Sequence, residues 1–307
     1  MTFSWQFWLG FHVFVFAMLA LDLGVFHRTP RKVRVREALL WSGVWIGLAL
    51  LFNAALAHWF GKQVAIEFLT GYVIEKSLSV DNIFVFLTLF SYFNVPSEYQ
   101  HKILFFGILG ALVMRAAFII LGIELIESFH WVIYVFGAFL VVTGIRFAFK
   151  KDEKPDFENN LIAKLFRKFF RVTNQFENGK FIVRKSGKLY ATPLLLVLIL
   201  VEASDVIFAV DSIPAVLAVT SSSFIVYTSN VFAILGLRSL YFALAQSVQH
   251  FVFLQYGLAA ILVFVGFKMV TSNIYKISTE VSLAVIFGVL LFSIGASFIW
   301  QKKVSKE

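Results

Sequence analysis

Two short acidic stretches, each set inside a strongly apolar run, hold the residues that could do chemistry. The first reads Glu75-Lys-Ser-Leu-Ser-Val-Asp81-Asn82-Ile; the second reads Asp205-Val-Ile-Phe-Ala-Val-Asp211-Ser212-Ile, with Glu202 three residues upstream. Both follow one frame: a carboxylate, five residues ending in Val, Asp, a small polar residue, then Ile. An ionised side chain at the centre of a bilayer costs ~2.5–3.5 kcal/mol, so five would cost roughly 12–18 kcal/mol. That equals the whole stability of a domain, ~5–15 kcal/mol. A cation or a water-filled path must offset it. The donors on offer are carboxylate, amide, hydroxyl and backbone oxygens, a set that suits Mn²⁺, Mg²⁺ or Ca²⁺ over soft metals. None of the six His residues lies in these stretches, so imidazole ligands are not expected. The competing reading is structural: a buried salt-bridge network with Lys76, Arg115 and Arg238. Those same cations could neutralise the carboxylates once a metal has left.

The spacing limits how one ion can be held. Residues six apart on a helix are ~9 Å apart along the axis and ~240° apart in rotation. Glu75 and Asp81 therefore cannot share an ion from one straight helix, and neither can Asp205 and Asp211. One solution is a break, for which Pro214 is placed three residues after Asp211. The other is antiparallel packing of the two stretches, which sets Glu75 level with Asp211 and Asp81 level with Asp205. Glu202, one turn from Asp205, joins that second level. Ser77, Ser79, Asn82, Ser204 and Ser212 supply neutral oxygens.

The elements that must position these groups are membrane helices. The chain has 307 residues, 60% of them hydrophobic and 15% charged, with mean hydropathy +0.84. Soluble domains carry ~45–50% apolar residues. Nine apolar runs are long enough to span, at about 5–26, 38–60, 64–93, 102–123, 129–149, 191–219, 224–248, 252–272 and 280–300. The first begins close to Met1 without a basic leader or a small-residue cleavage site, and is read as a retained helix. Asp22, near the end of that run and beside His27 and Arg28, reads as an interfacial carboxylate paired with its basic neighbours. Lys and Arg concentrate at 27–37, at 150–190, where there are eleven, and in the C-terminal tail. With nine spans these segments share one side. The positive-inside rule makes that side the cytoplasm and leaves the N-terminus in the periplasm. The net charge of +9 is thus an orientation signal, with no nucleic-acid partner expected.

There is no cysteine, which excludes disulfides, thiol redox chemistry, thiolate metal sites and cysteine-bound iron–sulfur clusters. There is also no Walker motif, no dinucleotide-binding glycine fingerprint and no haem or flavin signature. Neither an enzyme nor an organic cofactor is expected. Within 150–190, Leu161, Leu165, Phe166 and Phe169 recur at helical spacing between Lys164, Arg167, Lys168 and Arg171. This suits a helix on an anionic lipid surface, as well as an ordinary solvated basic loop.

The chain also repeats itself. The runs after the two acidic ones share Ile108-Leu109-Gly110 and Ile234-Leu235-Gly236, followed by Arg115 and Arg238 at unequal spacing. The next pair shares Tyr134-x9-Gly144-x-Arg146 and Tyr256-x9-Gly266-x-Lys268. A three-helix unit ends on the side opposite its start, so two such units in succession run in inverted topology. Transporters built that way bind substrate at the repeat interface near mid-membrane. The expected fold is an all-α polytopic membrane protein of about nine transmembrane helices with two inverted three-helix repeats. Its parts are two N-terminal helices (1–63), the first repeat (64–149), a basic cytoplasmic loop (150–190), the second repeat (191–272), and a last helix with a basic tail (273–307).

Ser77-Leu-Ser-Val-Asp81-Asn82 and Glu202-Ala-Ser-Asp205-Val-Ile-Phe-Ala-Val-Asp211-Ser212-Ile-Pro214-Ala resemble the TerC family of bacterial membrane proteins, as does Leu21-Asp22-Leu-Gly-Val-Phe-His27. The resemblance spans nearly the whole chain. The family is placed among LysE-like exporters, and members are associated with Mn²⁺ efflux. The resemblance implies an inner-membrane exporter with Mn²⁺ as substrate. Its metal-site residues would be Glu75, Asp81, Asn82, Glu202, Asp205, Asp211 and Ser212. The same carboxylates are candidates to carry protons on the return step. Two other readings stand beside this one. The first is an accessory membrane protein that modulates redox or stress machinery without transport. The second is an exporter of a cationic organic solute, with Phe84, Phe86 and Phe208 as aromatic walls.

Overall fold

A computed structural model of the protein describes residues 3–24, 35–129, 131–149, 164, 166, 168–173, 175–185, 187–244, 253–271, 274–275 and 277–304. Each of the nine apolar runs contains a helix among the described residues. The first five are α1 (Trp5–Gly24), α2 (Val35–Phe60), α3 (Lys62–Tyr92), α4 (Ser97–Ser128) and α5 (Val132–Phe149). After the basic segment come α6 (Pro193–Leu217), α7 (Ser223–Leu235), α8 (Leu237–Leu244), α9 (Leu254–Val270) and α10 (Thr279–Val304). Among the described residues five stretches are long and apolar enough to cross a membrane: Val35–Phe60, Ser97–Ile126, Pro193–Leu217, Ser223–Leu244 and Thr279–Trp300. Shorter apolar helices lie at Trp5–Ala20, Tyr134–Phe149 and Leu254–Val270. α3, with 31 residues, carries Lys62, Glu67, Glu75, Lys76 and Asp81, which dilute its hydropathy.

Helix boundaries follow local chemistry. Gly61 precedes α3 at φ 92, a left-handed conformation that a residue without Cβ adopts freely. Pro193 opens α6, where a missing amide costs nothing. Pro214 lies inside α6, yet the helix runs through it, so the break considered for the second acidic stretch does not occur there. The break falls instead at Gly236, which separates α7 from α8.

Close approaches at small residues fix the helix directions. A Cβ on Gly71 of α3 would sit 3.1 Å from Val216 of α6, and Asn82 of α3 bonds Asp205 of α6, so α3 and α6 run antiparallel. Gly71 also meets Ser229, and Lys76 reaches Ala233, so α3 and α7 run parallel. On α4, Gly107 meets Val201 and Gly122 meets Leu217, so α4 and α6 run parallel. The α5–α9 crossing is backbone on backbone. A Cβ on Gly137 would stand 2.8 Å from the Gly266 carbonyl oxygen, and one on Gly144 2.8 Å from that of Ala259. Such contacts are how helices associate when lipid removes the hydrophobic drive.

The basic segment holds an element its sequence did not announce. β1 (Ile182–Lys185) and β2 (Lys188–Ala191) form an antiparallel hairpin that turns through Gly187 at φ 77. Thr192 Oγ1 donates to the Lys180 carbonyl at 2.7 Å, and Lys102 Nζ donates to that of Gly179 at 2.8 Å. The hairpin is thereby tied to the starts of α6 and α4. Lys164, Phe166, Lys168 and Phe169, from the expected amphipathic helix, are helical, and Arg171 lies past the helical turn; Leu161, Leu165 and Arg167 fall outside the described residues.

The apolar core is divided in two. On α3 one cluster of buried residues ends at Ile74 and the other begins at Ile83. On α6 the second cluster ends at Val201 and the first resumes at Ala209. The two interruptions are the acidic stretches.

Candidate functional site

The space between the two clusters is centred on Arg115 of α4. Its side chain is 2% exposed, against 1% for Glu75 and 4% for Asp205. Arg115 Nε donates to Asp205 Oδ2 at 3.1 Å, and Nη2 donates to Oδ1 at 2.9 Å, a two-pronged guanidinium–carboxylate pair. Nη1 donates to Glu75 and, at 2.6 Å, to Asn230 Oδ1 on α7; Ser212 Oγ lies 3.5 Å from it. Asn230 Nδ2 donates to Glu75 Oε2 at 3.1 Å, and Asn82 Nδ2 donates to Asp205 Oδ1 at 3.2 Å. Three helices, α3, α6 and α7, thus place five polar side chains around a guanidinium carried by a fourth. Glu75 and Asp205, expected on different levels, are joined by it. Burying two carboxylates is tolerable only when each is paired and hydrogen-bonded, and both are.

The other expected residues divide into three groups. Ser77 and Ser204 turn back to carbonyls of their own helices, Val73 and Leu200, and take no part. Ser79 Oγ, Asn82 Oδ1 and Glu202 Oε2 are buried without a hydrogen-bond partner among the described residues. Native proteins leave few such oxygens unmatched. Asp81 and Asp211 belong to α3 and α6, and Asp22 to α1, but their side chains fall outside the described residues. The α3–α6 register nevertheless brings position 75 opposite 212, beside Asp211.

The auxiliary cations differ from one another. Lys76 Nζ donates to the Ala233 carbonyl at 3.2 Å and lies against Gly236. Arg238 is buried on α8 and lines a small cavity with Phe86, Ile108, Val201, Asp205 and Ile234. Glu202 lies so close on Gly110 of α4 that a Cβ there would require its carboxylate to move.

Asn230 was not expected from the sequence. Its signal was present: Thr228-Ser229-Asn230 is a polar triplet inside a helix buried from Phe224 to Leu235. Thr228 and Ser229 spend their hydroxyls on their own helix, while Asn230 reaches across.

The oxygens around the site come from carboxylates, amides and a hydroxyl, the ligand type a hard divalent ion takes. Among the described residues no three His, Asp or Glu side chains converge on one point. Arg115 stands between the two acidic ones that do approach.

Residues 60–306 match the family model described as integral membrane protein TerC family. Among the curated relatives, an uncharacterized membrane protein, STKORF319, of Myxococcus xanthus is 51% identical over 95% of this chain and 92% of its own. The Escherichia coli (strain K12) protein named "Putative membrane-bound redox modulator Alx" is 50% identical over 93% of this chain and 92% of its own. An uncharacterized membrane protein of Rickettsia bellii is 41% identical over 98% of this chain and 99% of its own. No solved structure matches the chain.

Proposed function

Because the chain belongs to the TerC family of integral membrane proteins, we propose that it is a secondary transporter exporting a divalent metal ion, with Mn²⁺ as the first substrate. The observation that carries this reading is the buried meeting of Glu75 and Asp205, from two antiparallel helices in different halves of the chain. The ligand set we assign is Glu75, Asp81, Asn82, Glu202, Asp205, Asp211 and Ser212. The orphaned oxygens of Ser79 and Asn82 support an oxygen-liganded cation. The two acidic stretches carry five carboxylates, and Lys76, Arg115 and Arg238 carry three positive charges. The difference, two formal negative charges, is the charge of one divalent ion.

We assign the architecture of nine spans with two inverted three-helix repeats, α3–α5 and α6–α9, in which α7 and α8 are the two halves of one span broken at Gly236. The α5–α9 crossing supports the repeat. Aligning Tyr134 with Tyr256 makes Gly137 equivalent to Ala259 and Gly144 equivalent to Gly266. The contact of Gly137 with Gly266 then becomes, on exchanging the halves, the contact of Ala259 with Gly144, and both occur. In this reading the hairpin and the C-terminus face the cytoplasm of a bacterial inner membrane. Exposed Phe169, Phe170 and Leu189, set among Lys168, Arg171 and Lys188, suit contact with anionic lipid there.

The completeness of the Arg115 pairing favours one alternative. In it the carboxylates are a structural ion-pair network, and the protein modulates redox or stress machinery without transport; the E. coli relative's name speaks of a membrane-bound redox modulator. Cellular content of Mn, Mg, Ca, Fe and Zn, with and without the protein, separates the two. Export lowers Mn alone. Unchanged content of all five metals rejects export.

A further inference from the structure

Arg115 and a metal ion cannot occupy the carboxylate pair together. A hard divalent ion sits about 2.0–2.6 Å from its oxygen ligands. The Asp205 oxygens already hold guanidinium nitrogens at 2.9 and 3.1 Å, and the same guanidinium holds Glu75. A metal ion bound between Glu75 and Asp205 therefore needs Arg115 elsewhere, and a displaced buried guanidinium needs another anion. The structure offers one within the same helix pair. Glu202 is on α6, three residues before Asp205, and its Oε2 is buried with no partner among the described residues. Its carboxylate lies on Gly110, which stands on α4 five residues, or ~7.5 Å of helix rise, before Arg115. Gly110 and Arg115 are ~140° apart around α4, so the approach is made along α6: Arg115 already holds Asp205, which is three residues from Glu202 on that helix.

Resting on the metal-export reading of this site, we infer that Arg115 is a tethered cation with two stations. It holds Glu75 and Asp205 when no metal is bound, and moves to Glu202 when a metal ion takes the pair. This takes Glu202 out of the ligand set assigned above and makes it the receiving anion for a guanidinium. Arg115 is a competitor whose return expels the cargo. Its attachment to α4 keeps its local concentration high, as for any tethered ligand.

The test is Mn²⁺ affinity of the purified full-length protein and three variants. Arg115→Gln removes the competitor and should tighten Mn²⁺ binding about tenfold or more. Glu202→Gln removes the receiving anion and should weaken binding about tenfold in the wild-type background. In the Arg115→Gln background it should change affinity less than about twofold, because the two residues act as one unit. If Glu202→Gln weakens binding equally in both backgrounds, Glu202 is a metal ligand and the inference fails. It fails also if Arg115→Gln binds Mn²⁺ no more tightly than wild type. Should Arg115→Gln not reach the membrane folded, Arg115→Lys replaces it. A single ammonium cannot fork across both carboxylates, so this variant too should bind more tightly than wild type; equal or weaker binding overturns the inference. A wild-type protein that binds no Mn²⁺ defeats the export reading itself, which is a different outcome from either failure.

Discussion

Near the Arg115 network, two long charged side chains lie on two glycines. Glu202 of α6 rests on Gly110 of α4, and Lys76 of α3 rests on Gly236 between α7 and α8. The glycines occupy matching places in the Ile-Leu-Gly triplets at 108–110 and 234–236. The layouts correspond, but the chemistry does not. Lys76 Nζ is spent on the Ala233 carbonyl at 3.2 Å, whereas Glu202 Oε2 is buried with no partner among the described residues. A satisfied buried charge locks the helices that share it. An unsatisfied one is a standing cost that only a moving or arriving cation can remove. The Lys76 side is accordingly the fixed frame of the site, and the Glu202 side is where the site changes.

The contrast can be broken by substitution. The largest effect is expected from the acidic stretches themselves. Asp81→Asn and Asp211→Asn keep shape and hydrogen-bonding capacity but delete charge; efflux should be lost while membrane levels stay normal. Normal export by either variant removes that residue from the ligand set. Next, Lys76→Met strands a buried carbonyl and should lower stability by ~1–3 kcal/mol. Glu202→Gln has no bond to lose among the described residues and should cost less than about 1 kcal/mol. Thermal unfolding in detergent checks both; equal losses would erase the distinction between the two sides. The smallest effect is expected at the glycines. An alanine at Gly236 meets Lys76 Nζ and also the Trp45 Cβ at 3.2 Å, while one at Gly110 meets only the far end of Glu202. Gly236→Ala should therefore cost ~1–3 kcal/mol, as overpacking does, and Gly110→Ala less. The reverse order in the same unfolding assay would mean that Glu202 is held rigidly.

Much of this was legible in the sequence, for a physical reason. Apolar runs of membrane length leave few alternatives to helix, so α1 to α10 fall where hydropathy put them. Glu75 and Asp205 stood out because carboxylates are rare in such runs. Three features were not legible. Pro214 suggested a broken helix, yet α6 continues and the break occurs at Gly236, because packing around a kink decides where backbone groups are given up. The hairpin at 182–191 was hidden because Arg184, Lys185 and Lys188 obscure its alternation; its anchors, Lys102 and Thr192, lie elsewhere in the chain. The centrality of Arg115 was hidden too. Sequence placed it among three cations of equal standing, and only the approach of α3, α4, α6 and α7 makes it the one bridging Glu75 and Asp205. Asn230 was overlooked for the same reason.

The central claim, that carboxylates from the two halves carry a divalent ion across the membrane, is tested most directly by flux. Purified protein in sealed vesicles, with a Mn²⁺ gradient and a fluorescent Mn²⁺ reporter inside, gives the rate without cellular metal homeostasis in the way. Wild-type protein should move Mn²⁺ well above protein-free vesicles, and Asp211→Asn, inserted to the same level, should fall to the protein-free rate. Wild-type flux no faster than that of empty vesicles would contradict the account.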